Sequence, residues 1–187
     1  MKERKYKEDY QIEVTMTDRG RDKRVAVYRG KWYSLNVTAK EKNLLRIFAV
    51  GAFVLFIIFY LLYMKLSTPS SRCMYVLPVA AAGLLPAAYW AMGLFTMLRA
   101  PERMTSVQKE SGIGRVMRSG MGCMALTGIA AVGDVIFLFT GSALGEEWPG
   151  LMLLCCCALA GAGCFLRVKA AYDQIKAYDS QDGGKAQ

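Results

Sequence analysis

The chain has 187 residues, 54% of them hydrophobic, with 24 Lys and Arg against 15 Asp and Glu and no histidine. A net charge of +9 would point to nucleic acid in a soluble protein, but no nucleic-acid motif accompanies it and most apolar residues fall in four long runs, so nucleic acid is excluded as a partner. Without histidine the commonest zinc ligand, haem ligand and general base are missing, and there is no Gly-x-Ser-x-Gly or Cys-x-x-Cys element, so no catalytic group, metal site or cofactor is expected.

Residues 1–9 form a charge run with no apolar core of a cleavable signal. Tyr10 to Thr17 alternates apolar and polar residues, the period of a half-buried strand; Arg24–Tyr28 and Trp32–Val37 read as two more strands, with Gly30 in the turn between them. These predict a small cytoplasmic β-meander within an N-terminal segment, residues 1–38. A sheet of this size is marginal alone and needs the basic loop 99–120, a lipid surface or a partner to lean on. Thr38-Ala-Lys-Glu41 is a capping box, so the first helix starts just before the membrane.

Four apolar stretches follow, at about 44–64, 74–98, 121–141 and 151–168, each near the ~20 residues that cross a bilayer core of about 30 Å. The predicted fold is an all-α integral membrane protein: a four-transmembrane-helix bundle over residues 39–170, with a flexible tail over 171–187. Lys and Arg number thirteen in residues 1–46, two between the first two spans, five in the loop 99–120, none in 142–150 and four from Arg167 onward. The positive-inside rule therefore puts both termini in the cytoplasm, in a multi-pass cytoplasmic (plasma) membrane protein whose basic residues face anionic lipid headgroups.

The second span carries Gly83, Ala87 and Ala91 at four-residue spacing, a smooth ridge for close helix packing, with Pro78 and Pro86 expected to bend it. In the loop 99–120, a short helix starting at Pro101 is expected to be broken by Gly112 and Gly114, which then act as a hinge.

Asp134 is the one ionisable acid or base deep in a span, at a cost of about 2.5–3.5 kcal/mol at a bilayer centre. Thr127, Ala130, Ala131 and Asp134 share a helical face, and the carboxyl is expected to hydrogen-bond to the Ala82 carbonyl freed by Pro86 or to the Tyr60 hydroxyl. Asp134, Thr127 and Tyr60 thus form the candidate intramembrane polar site. Among six cysteines, Cys73 and Cys155 fall at the same end of the bundle and are the candidate disulfide; the rest read as small hydrophobes. Glu146-Glu147-Trp148-Pro149 reads as a solvated turn with an interfacial tryptophan.

The function expected from these features is that of a non-enzymatic subunit of a membrane complex, packed against a protein partner. The alternative is a small homo-oligomeric proton- or cation-coupled transporter or channel working through Asp134.

Overall fold

The computed structural model describes residues 10–16, 22–35, 38–66, 76–101, 103–140 and 144–178. In chain order these form β1 (Tyr10–Met16), β2 (Asp22–Tyr28), β3 (Trp32–Leu35), α1 (Ala39–Lys65), α2 (Leu77–Ala82), α3 (Leu84–Leu98), β4 (Arg103–Met104), α4 (Ser106–Lys109), a π-helical turn (Glu110–Gly114), α5 (Arg115–Thr140), α6 (Leu144–Asp173) and β5 (Ile175–Tyr178). The chain is mostly helical, and four stretches, Ala39–Lys65, Leu77–Leu98, Ser106–Phe139 and Trp148–Asp173, are long and apolar enough to cross a bilayer. They mark a multi-pass membrane protein.

The helix starts follow from local chemistry. The Thr38 hydroxyl accepts the Glu41 N–H at 3.3 Å while Glu41 Oε2 accepts the Thr38 N–H at 3.0 Å, the reciprocal pair that the sequence predicts. Thr105 and Gln108 repeat the device at the start of α4. Along α1, Leu45, Ala49, Ala52, Phe56, Tyr60 and Tyr63 recur every three or four residues and are buried. Ile47, Val54, Leu55, Leu61 and Leu62 on the same helix are exposed. A helix apolar on its buried and its exposed faces suits lipid rather than water.

In lipid the hydrophobic effect does little to pair helices, so packing and hydrogen bonds decide which faces meet. Trp90 on α3 is fully buried between Phe53 and Phe56 of α1, at centroid distances of 5.4 and 5.7 Å. The α5–α6 pair is held close: a Cβ placed on Gly161 would lie 3.0 Å from the Gly120 carbonyl oxygen and 3.0 Å from the Met124 nitrogen. The backbones approach so nearly there because neither crossing residue carries a side chain.

Several expectations are corrected. Pro78 does not bend a helix; it occupies the first turn of α2, where its missing N–H is not needed. The break in the second span falls at Gly83, one residue beyond Ala82, whose carbonyl Pro86 cannot serve. Gly112 and Gly114 do not interrupt the chain: Ser106 to Thr140 runs continuously through the π turn, and Gly112 is buried with room for its missing Cβ only 3.5 Å from the Met97 backbone. They lie inside a continuous helical run rather than at a hinge. Pro101 precedes a strand, β4, rather than opening a helix, and Trp148 and Pro149 lie within α6 instead of a turn.

The meander is corrected too. β1 and β2 form an antiparallel hairpin, Tyr10 opposite Tyr28 and Met16 opposite Asp22, but β3 does not join it. Instead β3 is the centre of a second sheet in the order β4-β3-β5. Tyr33 and Ser34 pair with Met104 and Arg103, while Trp32 to Leu35 pair with Tyr178 to Ile175. Both edges of β3 are thus taken by strands from the inter-span loop and from the tail. Residues 175–178 of the tail are therefore a paired strand rather than frayed chain.

Candidate functional site

The three residues of the candidate intramembrane site lie on two helices. Tyr60 comes from α1, Thr127 and Asp134 from α5, and all three are buried. The Thr127 hydroxyl donates to the Cys123 carbonyl, one turn back, at 2.7 Å, so its hydrogen bond stays within its own helix. The Tyr60 hydroxyl donates to the Ala80 carbonyl at 2.8 Å and ties α1 to α2. The Tyr60 proton goes to the Ala80 carbonyl, which also accepts the Gly83 N–H at 3.0 Å, so Tyr60 is open to Asp134 as an acceptor and not as a donor.

Asp134 stands one turn beyond Ala130 and Ala131, which pack with Tyr63, Ala80 and Leu154 in a small cluster separate from the main core. Tyr60 belongs to the main core, with Phe56, Trp90 and Cys123. Tyr60 thus links the two, packed in the main core and hydrogen-bonded to Ala80 of the smaller cluster. Asp134 is 19 residues along an unbroken helix from Arg115, or ~28 Å at 1.5 Å per residue.

The small-residue ridge is only partly buried. Gly83 and Ala87 are buried, and a Cβ on Gly83 would approach Tyr60 Cε2 to 3.6 Å, whereas Ala91 is exposed. Pro86 packs against Gly122 of α5, whose missing Cβ would lie 3.1 Å from the proline Cβ. Cys155 is exposed with a free thiol, and Cys73 lies outside the described residues. Cys123, Cys157 and Cys164 are buried thiols, and Cys157 Sγ is 3.8 Å from the Phe56 carbonyl oxygen as a weak donor between α6 and α1.

The polar end of the bundle is more highly organised than the sequence implies. Lys109 Nζ sits 4.5 Å from the ring centroid of Tyr33 on β3 and 4.5 Å from that of Tyr172 at the end of α6. A cation held over two aromatic faces gains electrostatically from both. The Tyr28 hydroxyl donates to the Lys31 carbonyl at 2.8 Å and accepts the Ser106 N–H at 3.2 Å, joining the end of β2 to the start of α4. Tyr28 and Trp32 meet edge to face at 5.2 Å. Arg46 of α1 donates to the Ala100 carbonyl at 3.1 Å beyond the end of α3. Together these contacts fix the β4-β3-β5 sheet to the ends of α1, α3, α4 and α6.

Lys109, Tyr33 and Tyr172 are the residues that sequence reasoning misses. Two local signals were present: Thr105-x-x-Gln108 is a capping box that places Lys109 on a helix, and Ile175-Lys-Ala-Tyr178 has the spacing of a short strand. No protein-family model, curated protein or solved structure matches the chain.

Proposed function

We propose that this chain is a non-enzymatic, multi-pass accessory subunit of a membrane complex that presents a folded platform on the basic side of the membrane. The observation that carries this reading is the β4-β3-β5 sheet, built from the N-terminal segment, the inter-span loop and the tail. Three chain regions separated by whole spans are brought together there and clamped by Lys109. Such a platform has a use where another protein docks against it.

The excess of Lys and Arg on that side supports a cytoplasmic platform, with both termini on the same side. The Tyr60 hydroxyl bonds to a backbone carbonyl of α2, the pattern of a group that joins helices rather than lines a path for ions, while the Thr127 hydroxyl bonds back to its own helix. Asp134 then serves as an assembly or packing contact in the outer half of the membrane.

The test is affinity purification in mild detergent at native expression, with the intact complex weighed and its chains identified. A stoichiometric foreign chain, lost when Lys109 is changed to Gln, is the expected result. A clean homo-oligomer with no foreign chain overturns the subunit reading and favours the transporter or channel. Transport measured against Asp134→Asn, which retains hydrogen bonding and cannot titrate, would then be decisive.

A further inference from the structure

A groove of about 370 Å³ runs between α3 and the first two turns of α5. Leu85, Pro86 and Tyr89 form its apolar wall, and Arg115, Arg118 and Glu110 lie at its polar end. We propose that this groove binds an anionic phospholipid, the phosphate lying between Arg115 and Arg118 and an acyl chain running along Leu85, Pro86 and Tyr89. The proposal rests on the membrane-spanning reading of the four helices, not on the subunit reading.

The helix register sets the two ends of the groove at the right heights. Gly93 packs on Val116 and Pro86 packs on Gly122, so α3 and α5 run antiparallel with Tyr89 level with the turn between Arg115 and Met121. Arg118 lies three residues before Met121, where the apolar part of α5 begins. Leu85 is level with Cys123, ~7 Å further into the apolar zone than Arg118. A phosphate at the headgroup boundary and a chain entering the core match that sequence of polar and apolar lining. Leu85 and Tyr89 are exposed on the outside of the bundle, where lipid is the neighbour.

Charge complementarity identifies the ligand as an anion with an apolar body. Arg115 makes no ion pair among the described residues, and Arg118 meets Glu110 only at 3.7 Å. Two guanidinium groups against one carboxylate leave one positive charge, which matches a phosphate diester. A guanidinium offers paired N–H donors to phosphate oxygens. Free phosphate would satisfy the arginines and leave the apolar wall unused.

The test uses the full chain in mild detergent or in nanodiscs of mixed phosphatidylglycerol and phosphatidylcholine, with retained lipid counted by native mass spectrometry. Wild type is expected to retain phosphatidylglycerol preferentially, and Arg115→Gln with Arg118→Gln to lower that retention about tenfold. Arg167→Gln with Lys169→Gln, an equal loss of charge on α6, is expected to leave it unchanged. Equal retention of the two lipids by wild type overturns the proposal whatever the variants do. Displacement of the lipid by inorganic phosphate at matched concentration also overturns it, in favour of a free-anion site. Carbonate extraction separates the failures: a chain released from membranes refutes the spanning reading, while a chain that stays without lipid preference refutes only the groove.

Discussion

Replacing Gly161 by Ala perturbs the bundle where backbone meets backbone. The added Cβ would stand 3.0 Å from the Gly120 oxygen, 3.0 Å from the Met124 nitrogen and 3.3 Å from the Met124 Cα. All three are backbone atoms of α5, so no side chain can rotate away and the two helices must part by several tenths of an ångström. This crossing is the most extensive helix pair among the described residues, so the separation loosens contacts along its length. Overpacking of this kind costs about 1–3 kcal/mol, against a gain of up to about 1 kcal/mol from replacing Gly by Ala in a helix. The net expectation is a loss of up to about 2 kcal/mol, or a midpoint up to about 8 °C lower for a chain of this size, and about 1–3 kcal/mol below a Gly→Ala change that meets no neighbour. Gly128→Ala, on α5, is the matched control, since its Cβ would meet nothing within 4 Å. That variant is expected to be neutral or slightly stabilised. Thermal unfolding of both, followed in one detergent by tryptophan fluorescence and by recovery of the monodisperse peak, reads the difference. A Gly161→Ala protein as stable as Gly128→Ala would refute the close α5–α6 approach.

Other substitutions probe the remaining joints. Tyr60→Phe removes the bond to the Ala80 carbonyl, which keeps its contact with the Gly83 N–H, so the loss should be near 0.6 kcal/mol, about the mean for interhelical bonds in membranes; an unchanged unfolding midpoint would deny α1–α2 this link. Lys109→Gln removes both cation–aromatic contacts, each worth about 0.5–1 kcal/mol, and should raise hydrogen exchange in β3 and β5 while the spans stay protected; unchanged exchange in both strands would show that the clamp does not hold the sheet. Thr38→Ala should cost about 1 kcal/mol through the lost cap and raise exchange in the first turn of α1 alone; protection equal to wild type would show that the cap contributes nothing.

The spans were legible because each is a long apolar run, and the start of α1 because Thr38 and Glu41 sit three residues apart. β4 and β5 were not, since a two-residue and a four-residue strand carry almost no pattern and find their partner, β3, far away in sequence. Gly120 and Gly161 show the same limit among packing residues. Composition reveals that small residues are plentiful, but which of them meet depends on the rotation of α5 against α6. For the same reason the ridge read along one helix, Gly83, Ala87 and Ala91, is only partly buried. The candidate polar site was legible residue by residue through burial cost and helical spacing. Its connections were not, because the break at Gly83 reorients the Ala80 carbonyl toward Tyr60.

The pairing of β3 with both β4 and β5 imposes a hard topological condition: the N-terminal segment, the loop near residue 104 and the tail near residue 176 must share one side of the membrane. Single reporter cysteines near each of these positions and in the 141–143 connection, placed in a chain lacking its native cysteines, can be labelled with an impermeant maleimide in intact and in opened cells. The first three should label only after opening, and the fourth in intact cells. A reporter near residue 104 or 176 on the side opposite the N-terminal segment would contradict both the shared sheet and the platform built on it.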